Sequence, residues 1–201
     1  VLTLLSLAPF LLVMVTSFTR IIVVLHFVRS ALGTQTSPPN QVLIGIALFL
    51  TLFIMAPVMT QINKDCIQPY DKGKLTQEEA LNAGLKPIRK FMFEQTNRKD
   101  IRLFMEIEKQ SNDVSIEKED EIPTLVLIPA FMISELRIAF IIGFLIYLPF
   151  IVIDMVVAST LMSMGMMMLP PTTISMPFKI LLFVLADGWN LVIGQLVKTF
   201  Y

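Results

Sequence analysis

Apolar and polar positions fall in long blocks along this chain. A first apolar stretch runs from about Leu2 to Val28, interrupted by Pro9 and by Arg20 well inside it. The segment SALGTQTSPPNQ (30–41) ends it with Gly, Ser, Thr and Pro, and Pro38–Pro39 cannot continue a helix. A second stretch, Val42 to Ile62, is about long enough to cross a bilayer at roughly 20 residues per span. These two stretches predict a helical hairpin with a short polar turn. The third block, Thr124 to Leu169, has 46 residues. As one helix it would be about 70 Å long, over twice the hydrocarbon thickness of a bilayer. It is therefore expected to break, near Glu135–Arg137 or between Gly143 and Pro149, or to extend outside lipid. The fourth stretch, Phe178 to Tyr201, follows PPTTISMP and forms a second hairpin.

Between the hairpins lies a charged interval, Asn63 to Pro123, with local helix signals. Thr76 and Glu79 have capping-box spacing, and Gly84 can stop the short helix that follows. Pro87 suits the first position of a further helix, on which Ile88, Phe91, Met92 and Gln95 share a side. Asp100 can cap another, which places Ile101, Phe104, Met105 and Glu108 on one face. The apolar stripe carrying Phe91 and Phe104 has two possible partners: the interval's own helices, or another copy of the chain. A unit of about 60 residues buries little core by itself, which keeps the second partner open. The acidic run SIEKEDEIP (115–123) reads as a solvated loop. The expected fold is all-α, with a first hairpin over 1–62, a charged helical insert over 63–123 and a second hairpin over 124–201.

Composition sharpens this picture. The chain is 55% hydrophobic and 16% charged, against about 25% charged in an ordinary soluble domain. Residues 1–62 hold only Arg20 and Arg29, 63–124 hold eleven basic and thirteen acidic residues, and 125–201 hold three of each. Three-quarters of the charge thus sits in under a third of the chain, as expected for a water-facing insert between membrane-associated blocks. Sixteen basic residues balance sixteen acidic ones, which gives no case for nucleic acid. Cys66 is the single cysteine, so no intrachain disulfide can form. The opening VLTLLSLAPFLLVMV has no basic residue before it and does not read as an intact signal peptide.

Arg20, Glu135, Arg137, Asp154, Lys179 and Asp187 lie within or beside apolar stretches. An ionised group at mid-bilayer costs about 2.5–3.5 kcal/mol on insertion scales, so each should face protein, a water-filled cavity or the interface. One reading pairs them between helices or subunits. The other makes Asp154 and Asp187 a proton or ion relay. Glu135 and Arg137 are two apart and point different ways on a helix, so each needs a partner elsewhere, with a neighbouring subunit as one source. No enzyme is indicated. His26, the lone histidine, lies in an apolar helix, and no zincin, nucleophile-elbow or phosphate-loop pattern occurs. Carboxylates do not cluster with histidine or cysteine at metal spacing, and no cofactor is expected.

The segment MSMGMMMLPP (162–171) holds five methionines in ten residues. Methionine is unbranched and soft, so it specifies shape poorly but adapts well. Such a cluster suits ordinary helix packing, or a surface that must close against itself and later open.

Three segments carry a family resemblance: TSFTRIIVVLHFVRSALGTQTSPPNQVLIGIALFLTLFIMAPV (16–58), QEEALNAGLKPIRKFMFEQT (77–96) and LIPAFMISELRIAFIIGFLIYLPFIVIDMVVASTLMSMGMMMLPPTTISMPFKILLFVLADGWNLV (127–192). Together they closely resemble the FliP family of type III export-gate subunits. T-R-I, A-L-G-T, P-P-N-Q-V-L, G-M-M-M, P-F-K and D-G-W occur in family order. P-P-N and D-G-W are shared with the injectisome branch, whereas TSFTRI and ALGT look like the flagellar one. The resemblance implies five copies assembled with FliR and FliQ, alongside FlhB and FlhA, in a closed helical complex of the bacterial inner membrane at the flagellar basal body. Unfolded flagellar subunits would pass along its axis, and the insert would lie on the periplasmic side. It also implies a methionine gasket at Met166, Met167 and Met168, on a loop shaped by Gly165, Pro170 and Pro171. Phe91, Phe104 and Glu135 match positions implied in subunit contact or stability, and Arg137 joins the expected contact residues as the nearby charge that needs a partner elsewhere.

Overall fold

The computed structural model describes residues 13–109, 122–166 and 169–201, and all regular structure among them is helical. Helix α1 is Phe18–Ala31, α2 is Asn40–Ile62, and a π-helical turn, Asn63–Ile67, leads into the short α3, Gln68–Asp71. The insert contributes α4, Gln77–Gln95, and α5, Arg98–Lys109. Then come α6, Thr124–Ser163, α7, Pro171–Leu185, and α8, Gly188–Lys198. Contacts group the chain into two units: Val1–Arg20 with Phe49–Arg137, and Ile21–Leu48 with Ile138–Tyr201.

In the first unit the insert helices build a core with the start of α6. Phe91, Met92, Ile101, Met105, Ile122 and Leu127 are buried, and Phe91 meets the ring of Phe131 edge-on at 6.1 Å. The insert's apolar stripe therefore packs inside the chain, while Phe104 stays half-exposed. Helix α4 begins with the expected capping box: the Thr76 N–H donates to Glu79 at 2.8 Å, and the Glu79 N–H donates to the Thr76 hydroxyl. It does not stop at Gly84 or restart at Pro87 but runs through both. The reason is tertiary. Cys66 from the π-helical turn packs on this face, so close that a Cβ at residue 84 would stand 3.3 Å from its sulfur. The Cys66 thiol also donates to the Ala80 carbonyl at 3.0 Å.

Asp100 is likewise not a cap. Asn97 caps α5, its side-chain oxygen accepting from the Lys99 N–H at 3.0 Å, and Asp100 turns into the core.

In the second unit Ile21, Val24, Leu25, Val28, Leu43 and Ala47 are fully buried between α1 and its surroundings. Phe27 stacks edge-on against Phe140 at 5.2 Å. The expected breaks in the third apolar block do not occur. Helix α6 continues for 40 residues through Glu135–Arg137 and through Gly143 to Pro149. At about 1.5 Å per residue it is about 60 Å long, so it must leave the hydrocarbon layer. The last apolar stretch is not a straight span either. It starts at Pro171, and α7 and α8 bend by 65° at Ala186–Asp187.

Candidate functional site: the methionine turn and the buried charges

The methionine segment begins where α6 ends. Gly165 takes a left-handed φ of 76°, its N–H donates to the Met162 carbonyl at 3.1 Å, and the Met166 N–H donates back to Leu161 at 3.0 Å. This is a Schellman termination, which glycine permits because it lacks a Cβ. It fixes the direction in which the chain leaves the helix. Met162, Met164 and Met166 are exposed there, at 57%, 64% and 43%. Met167 and Met168 lie outside the described residues. On the far side Pro170 is the N-cap of α7 and Pro171 its first residue, where a preset φ and a missing N–H do no harm. The three residues read as loop-shaping thus each hold a defined backbone role.

Five of the six charged residues in or beside apolar stretches are ion-paired, and their partners lie within the chain. Arg20 and Glu135 are both fully buried. The Arg20 Nε donates to Glu135 Oε2 at 2.9 Å, an Nη2 bond to Oε1 completes a two-pronged contact, and Nη2 also donates to Gln95 Oε1 at 3.0 Å. Arg137 pairs with Asp100, and the Ser134 hydroxyl donates to the same carboxylate at 2.6 Å. A neighbouring subunit is therefore not needed to neutralise Glu135 or Arg137. In the second unit Lys179, 2% exposed, donates to Asp154 Oδ2 at 2.6 Å, and the Ser175 hydroxyl donates to Oδ1.

Asp187 stands apart. It adopts a left-handed φ of 48° at the bend between α7 and α8 and accepts from the Asn190 side-chain amide at 3.0 Å. The D-G-W motif is this corner. A Cβ on Gly188 would fall 2.3 Å from the Phe183 ring, and Trp189 meets that ring edge-on at 5.3 Å.

Sequence reasoning missed Gln95, Ser134 and Ser175 as polar partners. Ser175 and Lys179 are four apart on one helix face, and that spacing was the available signal. Ser134 stands three before Arg137 on α6 and offered the same signal, while Gln95, a polar residue on the apolar side of α4, marked itself but not its partner.

These features define an all-helical protein with two helices long and apolar enough to cross a membrane, or three if the bent pair counts as one. Among the described residues no group of His, Cys, Asp and Glu is arranged to hold a metal. Within that class the chain belongs to the FliP family, which it matches over residues 1–196. The flagellar biosynthetic protein FliP of Bacillus subtilis (strain 168) is 54% identical over 199 residues, covering 99% of this chain and 89% of that protein. The flagellar biosynthetic protein FliP of Pectobacterium carotovorum subsp. carotovorum is 49% identical over 200 residues, covering 100% and 76%. That of Aquifex aeolicus (strain VF5) is 49% identical over 199 residues, covering 99% and 83%. A proton or ion carrier built on Asp154 and Asp187 is not favoured: both Asp154 oxygens are engaged by Lys179 and Ser175.

Proposed function

We propose that this chain is a pore-forming subunit of the flagellar type III export gate, passing unfolded flagellar subunits across the bacterial inner membrane at the basal body. The observation that carries this reading is the methionine turn in a FliP-family chain: thioethers exposed on a backbone geometry fixed by Gly165. Five copies, assembled with FliR and FliQ and working beside FlhB and FlhA, would bring Met166, Met167 and Met168 to a shared axis. Unbranched side chains mesh to exclude water and ions, then part around a polypeptide that presents every side-chain type in turn. The insert lies on the periplasmic side. Its many basic residues do not oppose this, because the positive-inside rule weakens for loops near about 60 residues. Of the proposed contact residues, Phe104 and the exposed part of Arg137 are available to a neighbour. Phe91 and Glu135 are buried and act by holding that surface in place.

Replacing Met166, Met167 and Met168 together with Ala in the intact gate tests the reading. The closed complex should leak ions in membrane vesicles while export continues. Unchanged conductance would overturn the gasket.

A further inference from the structure

His26 lies near the C-terminal end of α1, and its Nδ1 is 3.0 Å from Nη2 of Arg29. A guanidinium carries donors and no acceptor. At this contact Nδ1 must therefore accept, which makes the imidazole neutral with its proton on Nε2. The other arm of Arg29 reaches across the turn: Nη1 donates to the Asn40 side-chain oxygen at 2.5 Å and to the Pro38 carbonyl at 3.4 Å. The Arg29 carbonyl in turn accepts from the Thr34 hydroxyl at 3.3 Å. One guanidinium thus fastens the end of α1 to the first residue of α2, over the P-P-N segment. The N–H groups of Val42 and Leu43, both bonded to the Pro39 carbonyl at 3.0 and 3.3 Å, sit directly behind this fastening.

We propose that His26, as the neutral acceptor for Arg29, makes the turn between α1 and α2 an acid-sensitive clamp. Protonation removes the lone pair that Arg29 uses and places a second cation against the guanidinium. The Arg29 fork then swings off the ring, and its hold on Pro38 and Asn40 weakens. The surroundings offer the imidazolium no compensation. Residues 32–48, which form the turn and the start of α2, contain no ionisable side chain. Helix α6 packs Phe140 against the adjacent Phe27, and its ionisable groups in this unit are Tyr147 and Asp154. Lys179 of α7, whose Nζ would lie 4.0 Å from a Cβ on Gly33, is engaged with Asp154. Asp187, at the bend before α8, is bonded to Asn190, and α8 itself carries Lys198. Among the described residues, no carboxylate is hydrogen-bonded to the ring. The clamp is closed while the ring is neutral; burial, and after it the Arg29 charge, lower the ring's pKa from the ordinary histidine value, so its hold is lost as pH falls from that ordinary value toward the lowered one.

Hydrogen exchange of the full-length protein in its membrane assembly, followed on the peptide spanning the turn and corrected for the intrinsic pH dependence of exchange, tests this. In the native chain, protection at Val42 and Leu43 should fall about tenfold between pH 8 and pH 5, the size expected for losing one charge-assisted bond. His26→Gln keeps an acceptor and cannot titrate, so its profile should be flat. Arg29→Ala should show low protection at every pH, with no step. A flat native profile, a His26→Gln profile that falls in parallel with the native one, or a step retained in Arg29→Ala would each overturn the clamp. If His26→Gln fails to assemble, the native and Arg29→Ala profiles still decide.

Discussion

Arg20 is the largest side chain in the described structure with no exposure, and Glu135 and Gln95 meet its charge. A buried pair is weak evidence for net stability, since desolvation consumes most of the attraction, but leaving one partner alone is expensive. Glu135→Gln should therefore lower unfolding stability by about 3–5 kcal/mol, read as a fall in thermal midpoint in detergent. Replacing Arg20 and Glu135 together with Met should cost much less. Equal losses in the single and double variants would show that the unpaired charge is not the cause. The corner residues make a second test. Gly188→Ala drives a methyl into the Phe183 ring and should cost about 1–3 kcal/mol. Asp187→Asn keeps a residue type at ease in left-handed backbone and should leave the midpoint, and export, nearly unchanged. A loss of export in Asp187→Asn with normal assembly would revive the carrier reading. The sequence showed that these charges needed partners but not which ones. The partners are separated by 115, 37 and 25 residues, and no local spacing encodes a contact at such range.

Some helix ends were legible because their chemistry is local, although the equally local Asn97 cap of α5 was not read. The Thr76–Glu79 box closes within four residues, and the Gly165 turn within six, so propensity and hydrogen-bond geometry agree there. The box also sets a pH response. The Thr76 backbone N–H, and then its hydroxyl, hold the Glu79 carboxyl below its usual range. A lowered folded value means the carboxylate's contribution is present above the ordinary glutamate pKa, about 4.3, and is lost as pH falls through the folded value. Acidification should thus fray the first turn of α4, seen as faster exchange of the Ala80 N–H, which bonds to the Thr76 carbonyl at 2.9 Å. Glu79→Gln keeps an acceptor for the Thr76 N–H but cannot titrate, so it should remove that pH step, and a step of unchanged size would assign it to another group. Helix interiors were less legible. Gly84 with Pro87, and Gly143 with Pro149, look like stops by propensity, yet α4 and α6 run through them. Propensity is worth about 1 kcal/mol for a glycine and about 3 for a proline, less than packing along a long helix supplies. Asp100 failed as a cap for a similar reason: Arg137 and Ser134, on another helix, compete for it.

At the scale of the whole molecule the chain exposes more apolar surface than a bilayer can cover. Along α6, Leu125, Phe144 and Val156 are exposed at 84%, 58% and 61%. Leu125 and Val156 are 31 residues apart, which is about 47 Å along a straight helix. A hydrocarbon layer of about 30 Å cannot hold both, and even a tilt of about 40° leaves about 36 Å between them along the membrane normal. One end of the exposed apolar surface of α6 therefore lies outside the hydrocarbon layer. That is the physical argument for an assembly in which identical or related neighbours cover what lipid does not. Trp189 is the only tryptophan, so a Trp189→Phe background permits single probes at 125, 144 and 156. With lipid chains carrying a quencher, Phe144→Trp should be quenched in the unassembled protein, while Leu125→Trp or Val156→Trp escapes. On assembly the quenched position should become protected as well. Equal quenching of all three probes would mean that α6 breaks or lies along the membrane, and the case for covering neighbours would lose its geometric basis.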